Sequence, residues 1–545
     1  MAWEKFIQVI LPLHLEWEPY YELEDARVGE RVKVEFAHRE YIGVVSKVGV
    51  KPEVEKVLEA RRTELPPVGP QEIAFWRQLA DYYLCGVGEV FKAAYPTVLR
   101  QGKPRKVPEL SGRLPDGSAL SPFTETAMQA ILEGFKRKKT VLLQGSGKTE
   151  LYLELARRTL SQGKSVLFLV PEIALARQLE TRISALFPDL LTYDSSQTTG
   201  TRRAIAQVVR DNPATLVLGT RSALFLPYHK LGLIIVDQEH DPSFKQDSPT
   251  PRYNARESAI LLAAVHGANV LLGSATPSLE SLYNTETGLF TRVQLPQNFS
   301  AEVQLVNTSA ESRKKGMSGS FSFKLIAAMK TVLDSGGKVL LLCRGKAAIP
   351  ECEEELRALF PGSAIELTTP AGAKLCGEYP LIGILQADGL LGKDDFRADE
   401  KALQLLQWLR GRCHRLLIQT REDKHPVFTA LAQNGDGLSF LPERRAVGYP
   451  PLTRLIHINL RDKSVKRLEY MSALLSRELA FLPTVIGPFA PTQDENAPEQ
   501  LRCIRLLLPR DRQLLERKKA LLTVVSSFEK ARKYQRHIVI DVDPL

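Results

Sequence analysis

The sequence predicts a multidomain α/β protein: a β-rich N-terminal module, two lobes built on parallel sheets with flanking helices, and a small α/β C-terminal module. Length is the first ground, because 545 residues exceed any single hydrophobic core and correspond to three or four domains at about 150 residues each. Second, from Leu120 to about Asn284 short apolar runs alternate with helical segments, which is the rhythm of parallel β/α units. Third, the stretch from Lys5 to about Val98 alternates apolar and polar residues with a period of two, as short antiparallel strands do.

In the N-terminal module, residues 1–105, FIQVILPL, ERVKVEF and YIGVVSKVGV are strand candidates, and a helix is expected from about Pro70 to Tyr83. Residues 106–121 are read as a linker, the tail of a stretch from Arg100 that is rich in Pro, Gly and basic residues. The first lobe, residues 122–295, offers TVLLQ, SVLFLVP, TLVLGT, LGLIIVD and NVLLGSA as strands. Each ends in small or polar residues, and in such sheets functional groups sit where strands end. The second lobe, residues 296–440, offers VLLLCRG, LIGILQAD and RLLIQT. In the C-terminal module, residues 441–545, RLIHINL, IRLLLP and HIVIDVD are strands and SVKRLEYMSALLSRELAFL is a helix.

Seventy-three Lys and Arg against 63 Asp and Glu leave a net charge of +10, which permits a polyanionic partner without demanding one. Six scattered cysteines with no C-x-x-C pair argue against zinc and against a disulfide framework, and the reduced cytoplasm is the expected setting. Gln8 and Pro12 interrupt the apolar run near the N-terminus, so neither a signal peptide nor a membrane span is expected.

The residues that carry chemistry begin with LLQGSGKTELYL, Leu142 to Leu153. Gly145, Gly147, Lys148 and Thr149 are the remains of a phosphate-binding loop, in which backbone amides wrap the phosphates, the lysine reaches the terminal ones and the hydroxyl meets Mg²⁺. In the full G-x-x-x-x-G-K-[ST] pattern the first glycine would stand at Leu142, inside the strand, so the wrap is missing. An ordinary glycine-rich strand-to-helix turn is the competing reading. The second motif is LGLIIVDQEHD, Leu231 to Asp241. In D-E-x-H helicases the first acid holds the metal and the second orients the attacking water, and the matching residues are Asp237 and Gln238. An amide accepts no proton from water at neutral pH, so hydrolysis should be severely slowed. Glu239, one residue along the strand from Gln238, is expected to point to the other face and so not to replace the missing base.

Around these motifs, GTRSALFLP (Gly219 to Pro227), DPSFKQDSPTPRYNAR (Asp241 to Arg256) and LLGSATPSLESL (Leu271 to Leu282) closely resemble the first motor lobe of the PriA family of superfamily 2 DNA helicases, which act in bacterial replication restart. VPEIALARQL, LADYYLCGVGEVFKAAYP, ERRAVGYPPLTRL and DVDPL extend the resemblance from end to end. It implies an N-terminal domain that binds DNA 3′ ends, two RecA-like helicase lobes using ATP and Mg²⁺, and a C-terminal domain that aids fork recognition. It also implies forked or single-stranded DNA, primosome and helicase-loading proteins and single-stranded DNA-binding protein as partners.

The chain departs from that family at several points. The linker leaves no room for the family's winged helix, and KVLLLCRG runs almost directly into PECEEELRALFPG where a zinc-binding insertion would stand. The glycine-rich motif before LIGILQAD is reduced to AGAKLCGEYP, and Thr124-Glu125 stand where an adenine-reading motif would be. The last motor motif survives as QWLRGRCHR, so Arg410 and Arg412 are the candidate arginines at altered spacing; a well-placed arginine is worth roughly 10³ to 10⁵ in rate. Candidate DNA contacts are Arg221, Ser222, Lys245 and Arg252, with Lys51 in the N-terminal module. A purely structural role competes for Ser222 and Arg252, and a solvated surface position for Lys51. In the 3′-end region Pro19-Tyr20-Tyr21 and Ala37 replace the family's pattern. The expected function is a DNA-binding replication-restart factor that has lost hydrolysis, with a reduced but working 3′ to 5′ helicase as the alternative.

Overall fold

We describe a computed structural model of the chain for residues 3–54, 56–95, 110–113, 122–296, 301–373, 376–392, 395–491, 500–534 and 537–545. Most of the expected linker lies outside the described residues. Its fragment 110–113 packs on the first lobe, where the amides of Ser111 and Gly112 donate to the Asp189 carboxylate at 2.8 and 2.7 Å.

The N-terminal strands Phe6–Ile10, Arg31–Phe36 and Arg39–Val48 form the centre of a six-stranded sheet in which all but one of the pairings are antiparallel. Phe36 faces Arg39, so Ala37 and His38 alone make the turn, both with positive φ (48° and 60°). That turn type favours glycine, so Ala37 holds it at some steric cost. Helix Pro70–Tyr83 buries Phe75, Trp76, Leu79 and Tyr83, and Phe75 meets Phe225 of the first lobe with ring centroids 5.8 Å apart.

The first lobe is a seven-stranded parallel sheet, in the order Thr291–Gln294, Thr140–Gln144, Asn269–Ser274, Leu231–Asp237, Ser165–Leu169, Leu216–Gly219, Leu191–Tyr193. Its inner strands are buried on both faces, as continuous apolar runs demand. The two outermost strands were not read from the sequence, because TRVQ and LTY are too short and too polar to stand out. The second lobe is a five-stranded parallel sheet, in the order Glu302–Asn307, Cys413–Thr420, Tyr379–Ile384, Val339–Leu342, Ile365–Thr368. The C-terminal module is a four-stranded antiparallel sheet, Val485–Phe489, Gln500–Pro509, Thr453–Asp462 and Ile538–Val542, carrying helices Val465–Glu478 and Leu514–Arg532. The predicted fold class is therefore the observed one. Among the described residues no helix is long and apolar enough to cross a membrane.

Candidate nucleotide site and nucleic-acid interface

Strand Thr140–Gln144 delivers the chain to Gly145 (φ 126°) and Gly147 (φ 76°), and helix Lys148–Ser161 starts at once. The two loop amides that would meet phosphate point elsewhere. Gly145 N–H donates to the Ser274 carbonyl at 3.1 Å and Ser146 N–H to the Pro296 carbonyl at 3.2 Å. The segment after Thr291–Gln294 lies against the loop: Leu295 N–H donates to Gln144 at 2.7 Å, and a Cβ at Gly145 would come within 2.6 Å of the Leu295 carbonyl. Lys148 Nζ donates to the Gly145 carbonyl at 2.7 Å. Burial pushes the Lys148 pKa below its usual value, with Asp237 opposing. Thr149 is half-buried in the first helical turn. Thr124 is buried and donates to Glu150 at 3.3 Å. Tested against a nucleoside triphosphate, the loop does not wrap a phosphate, because the Gly145 and Ser146 amides already have carbonyl partners.

Asp237 ends its strand and accepts a hydrogen bond from the Tyr152 hydroxyl at 2.9 Å. Burial raises its pKa above the usual carboxylate range, opposed by Lys148 and Tyr152. Gln238 does not continue the strand but turns into the left-handed region at φ 52°. Glu239 therefore does not follow the alternation expected of a continuing strand, since the chain bends before it. Glu239 is instead turned inward, accepting from Ser278 N–H (2.7 Å), Ser278 Oγ (2.9 Å), Ser281 Oγ (2.9 Å) and Arg256 (3.0 Å). A carboxylate so engaged is not available to replace a base at position 238. The next residue, His240, meets Ser274 Oγ through Nδ1 at 2.8 Å and Thr276 Oγ1 through Nε2 at 3.4 Å, linking the two motif loops.

The two candidate arginines of the second lobe are engaged within it. Arg410 donates to the Leu431 carbonyl at 3.1 Å and to Asn434, and the Arg412 guanidinium packs on the Trp408 ring at 4.9 Å. A second-lobe residue that sequence reasoning missed does reach the strand beside the phosphate loop. Asp436 pairs with Arg292, which also donates to Gln144 Oε1 through Nε (3.1 Å) and Nη2 (2.5 Å). An aspartate in a loop and an arginine 144 residues away carry no pattern in the sequence that would join them.

Among the DNA candidates, Arg221 and Ser222 open the short turn Arg221–Phe225 after strand Leu216–Gly219. Arg221 donates to the Lys245 carbonyl, and Ser222 Oγ is buried with no hydrogen-bond partner among the described residues. Lys245 is a correction. Its side chain is 1% exposed, with Nζ 2.8 Å from Asp541 Oδ1, 2.7 Å from the Arg252 carbonyl and 2.6 Å from the Val542 carbonyl. A cation enclosed in this way meets no phosphate while the C-terminal strand is in place. Arg252, 16% exposed, pairs with the same Asp541 at 3.1 Å. Lys51 is exposed, its amine 5.7 Å from the Trp3 ring. Tyr20 lines a pocket of about 520 Å³ with Trp17, Glu16, Glu18, Glu53 and Lys47, an acidic lining that does not favour a DNA end.

Further charged residues, none of them singled out from the sequence, join the modules. Glu280 pairs with Arg397 at 2.8 Å, Glu400 accepts from Leu279 N–H at 2.8 Å and pairs with Arg444 at 3.2 Å, and Arg454 pairs with Asp543, which also accepts from the Tyr82 hydroxyl at 3.1 Å.

Comparison with known proteins agrees with this architecture. Residues 8–96 match the 3′ DNA-binding domain of PriA, and residues 121–285 match the DEAD/DEAH box helicase family. A replication restart protein PriA from Rickettsia felis is 26% identical across 95% of this chain and 95% of its own. The PriA of Treponema pallidum is 28% identical across 86% of this chain and 88% of its own. That of Rickettsia prowazekii is 31% identical over 60% of this chain and 52% of its own.

Proposed function

We propose, from the premise that this chain belongs to the PriA family of replication restart proteins, that it binds abandoned DNA forks and promotes reloading of the replicative helicase without unwinding the fork itself. It acts in the cytoplasm as a platform on forked or single-stranded DNA. Its protein partners are primosome and helicase-loading proteins and single-stranded DNA-binding protein.

One observation carries the loss of the motor: the Gly145 and Ser146 amides donate to the chain's own carbonyls. Gln238 in place of the base and the engagement of Glu239 with Ser278, Ser281 and Arg256 add to it. DNA binding is independent of those losses. The competing reading, an ATP-driven 3′ to 5′ helicase, is favoured by Lys148 beside Asp237 and by the His240 link to Ser274 and Thr276. In that reading Lys148, Thr149 and Asp237 would hold ATP and Mg²⁺.

ATP turnover by the purified protein, with and without forked DNA, separates the two, with Lys148→Ala as the control for contaminating activity. The expected outcome is fork binding with no turnover above that control. A DNA-stimulated rate that Lys148→Ala abolishes would restore the helicase reading.

A further inference from the structure

Two lobes that take a ligand between them ordinarily close around it by a hinge. In this chain the bridge is made by side chains. Arg292, on the outermost strand of the first-lobe sheet beside the phosphate-loop strand, holds Gln144 Oε1 with two nitrogens and pairs with Asp436 of the second lobe. Arg292 and Asp436 are only 18% and 21% exposed, so water screens the pair weakly. The same strand runs on into Leu295 and Pro296, whose backbone seals Gln144 and Ser146. The two lobes also meet at the start of helix Leu279–Glu286: Leu279 N–H donates to Glu400, Glu280 pairs with Arg397, and Gln404 donates to the Pro277 carbonyl at 3.3 Å. Two contact zones, one at the phosphate loop and one at this helix, fix both separation and relative rotation, which a single ion pair would not.

We infer that Arg292 and Asp436 form an internal tie that stands in for the nucleotide, holding the lobes together and closing the phosphate loop with no ligand bound. The tie rests on the reading that hydrolysis is lost and deepens it: the lobes serve as one fixed surface for DNA. Gln144 is the link between the two effects. Its side chain is held by Arg292 and its carbonyl by Leu295 N–H, so releasing Arg292 loosens the strand end from which Gly145 and Ser146 hang.

Hydrogen exchange on the full chain, read by mass spectrometry over peptides covering residues 140–153, tests this. In the unliganded wild type the Gly145 and Ser146 amides should be protected, and Mg²⁺ with a non-hydrolysable ATP analogue should leave them unchanged. Arg292→Ala and Asp436→Ala should each speed their exchange about tenfold or more, corresponding to roughly 1.4 kcal/mol of local opening. The charge-reversed pair, Arg292→Asp with Asp436→Arg, should recover part of the protection. Unchanged exchange in both single variants, with wild-type melting and fork binding, would overturn the tie. Protected amides together with ATP turnover by the wild type would instead overturn the reading on which the tie rests, and the two failures are separately visible.

Discussion

Lys245 illustrates how much one side chain decides. Its ammonium sits among the Asp541 carboxylate and the carbonyls of Arg252 and Val542, with the Tyr83 ring 5.5 Å away. Removing a buried cation leaves its partner charge poorly compensated, which typically costs about 3–5 kcal/mol. Lys245→Ala should therefore lower unfolding stability by roughly that amount in urea titration, moderated by Arg252, which remains on Asp541. A change within about 0.5 kcal/mol would show that the lysine is a surface residue after all. This burial is invisible in the sequence, because a lysine followed by a polar, proline-rich loop has the same letters whether it faces solvent or a strand arriving from the far end of the chain. The placement of Asp237, Gln238 and Lys148 was legible for the opposite reason: a strand end, the turn after it and a helix start follow from local pattern.

At the scale of the element, strand Thr453–Asp462 carries a pH dependence of its own. His457 pairs across the sheet with Arg505 on one side and Asp541 on the other, and Arg505 Nε lies 3.2 Å from His457 Nε2. Burial first, and then the Arg505 guanidinium, push its pKa from the usual 6.5 down to about 4, with Arg397 and Lys245 acting in the same sense and Asp541 against them. The unfolded chain thus takes up a proton near pH 6.5 that the folded strand refuses until about pH 4. This contribution to stability is present above 6.5 and lost as pH falls through that window, up to about 3 kcal/mol in all. Chemical denaturation from pH 7 to 4 should follow this slope in the wild type and lose most of it in His457→Gln. Equal slopes would assign the acid sensitivity elsewhere. The strands themselves were readable where they were long and apolar, as in LGLIIVD and RLIHINL. Thr291–Gln294, the strand that seals the phosphate loop, was not, because four residues with one buried apolar side chain give neither period nor run.

At the scale of the molecule, three of the four modules share one buried cluster, and the second lobe joins them through ionic contacts. One hydrophobic cluster contains Trp76 and Phe91 of the N-terminal module, Val217 and Ile234 of the first lobe and Ile456 and Phe528 of the C-terminal module. With the ionic contacts of Glu280, Glu400 and Asp543 added, calorimetry should show these modules melting in one cooperative transition rather than in separate steps. Two resolved peaks would mean that the shared cluster is too weak to couple them. The modules were legible one at a time in the sequence, since each has its own periodicity, whereas their mutual anchoring depends on pairs hundreds of residues apart. Such pairing also sets an order of events in synthesis. Lys245 precedes its acceptor at Val542 by 297 residues, so at about 5–20 residues per second the ribosome needs on the order of 15 to 60 seconds to bring that acceptor within reach. Until then the nascent first lobe holds Lys245 without its C-terminal acceptors, so a translation product that stops short of Asp541 leaves this cation in water and the lobe without that anchor.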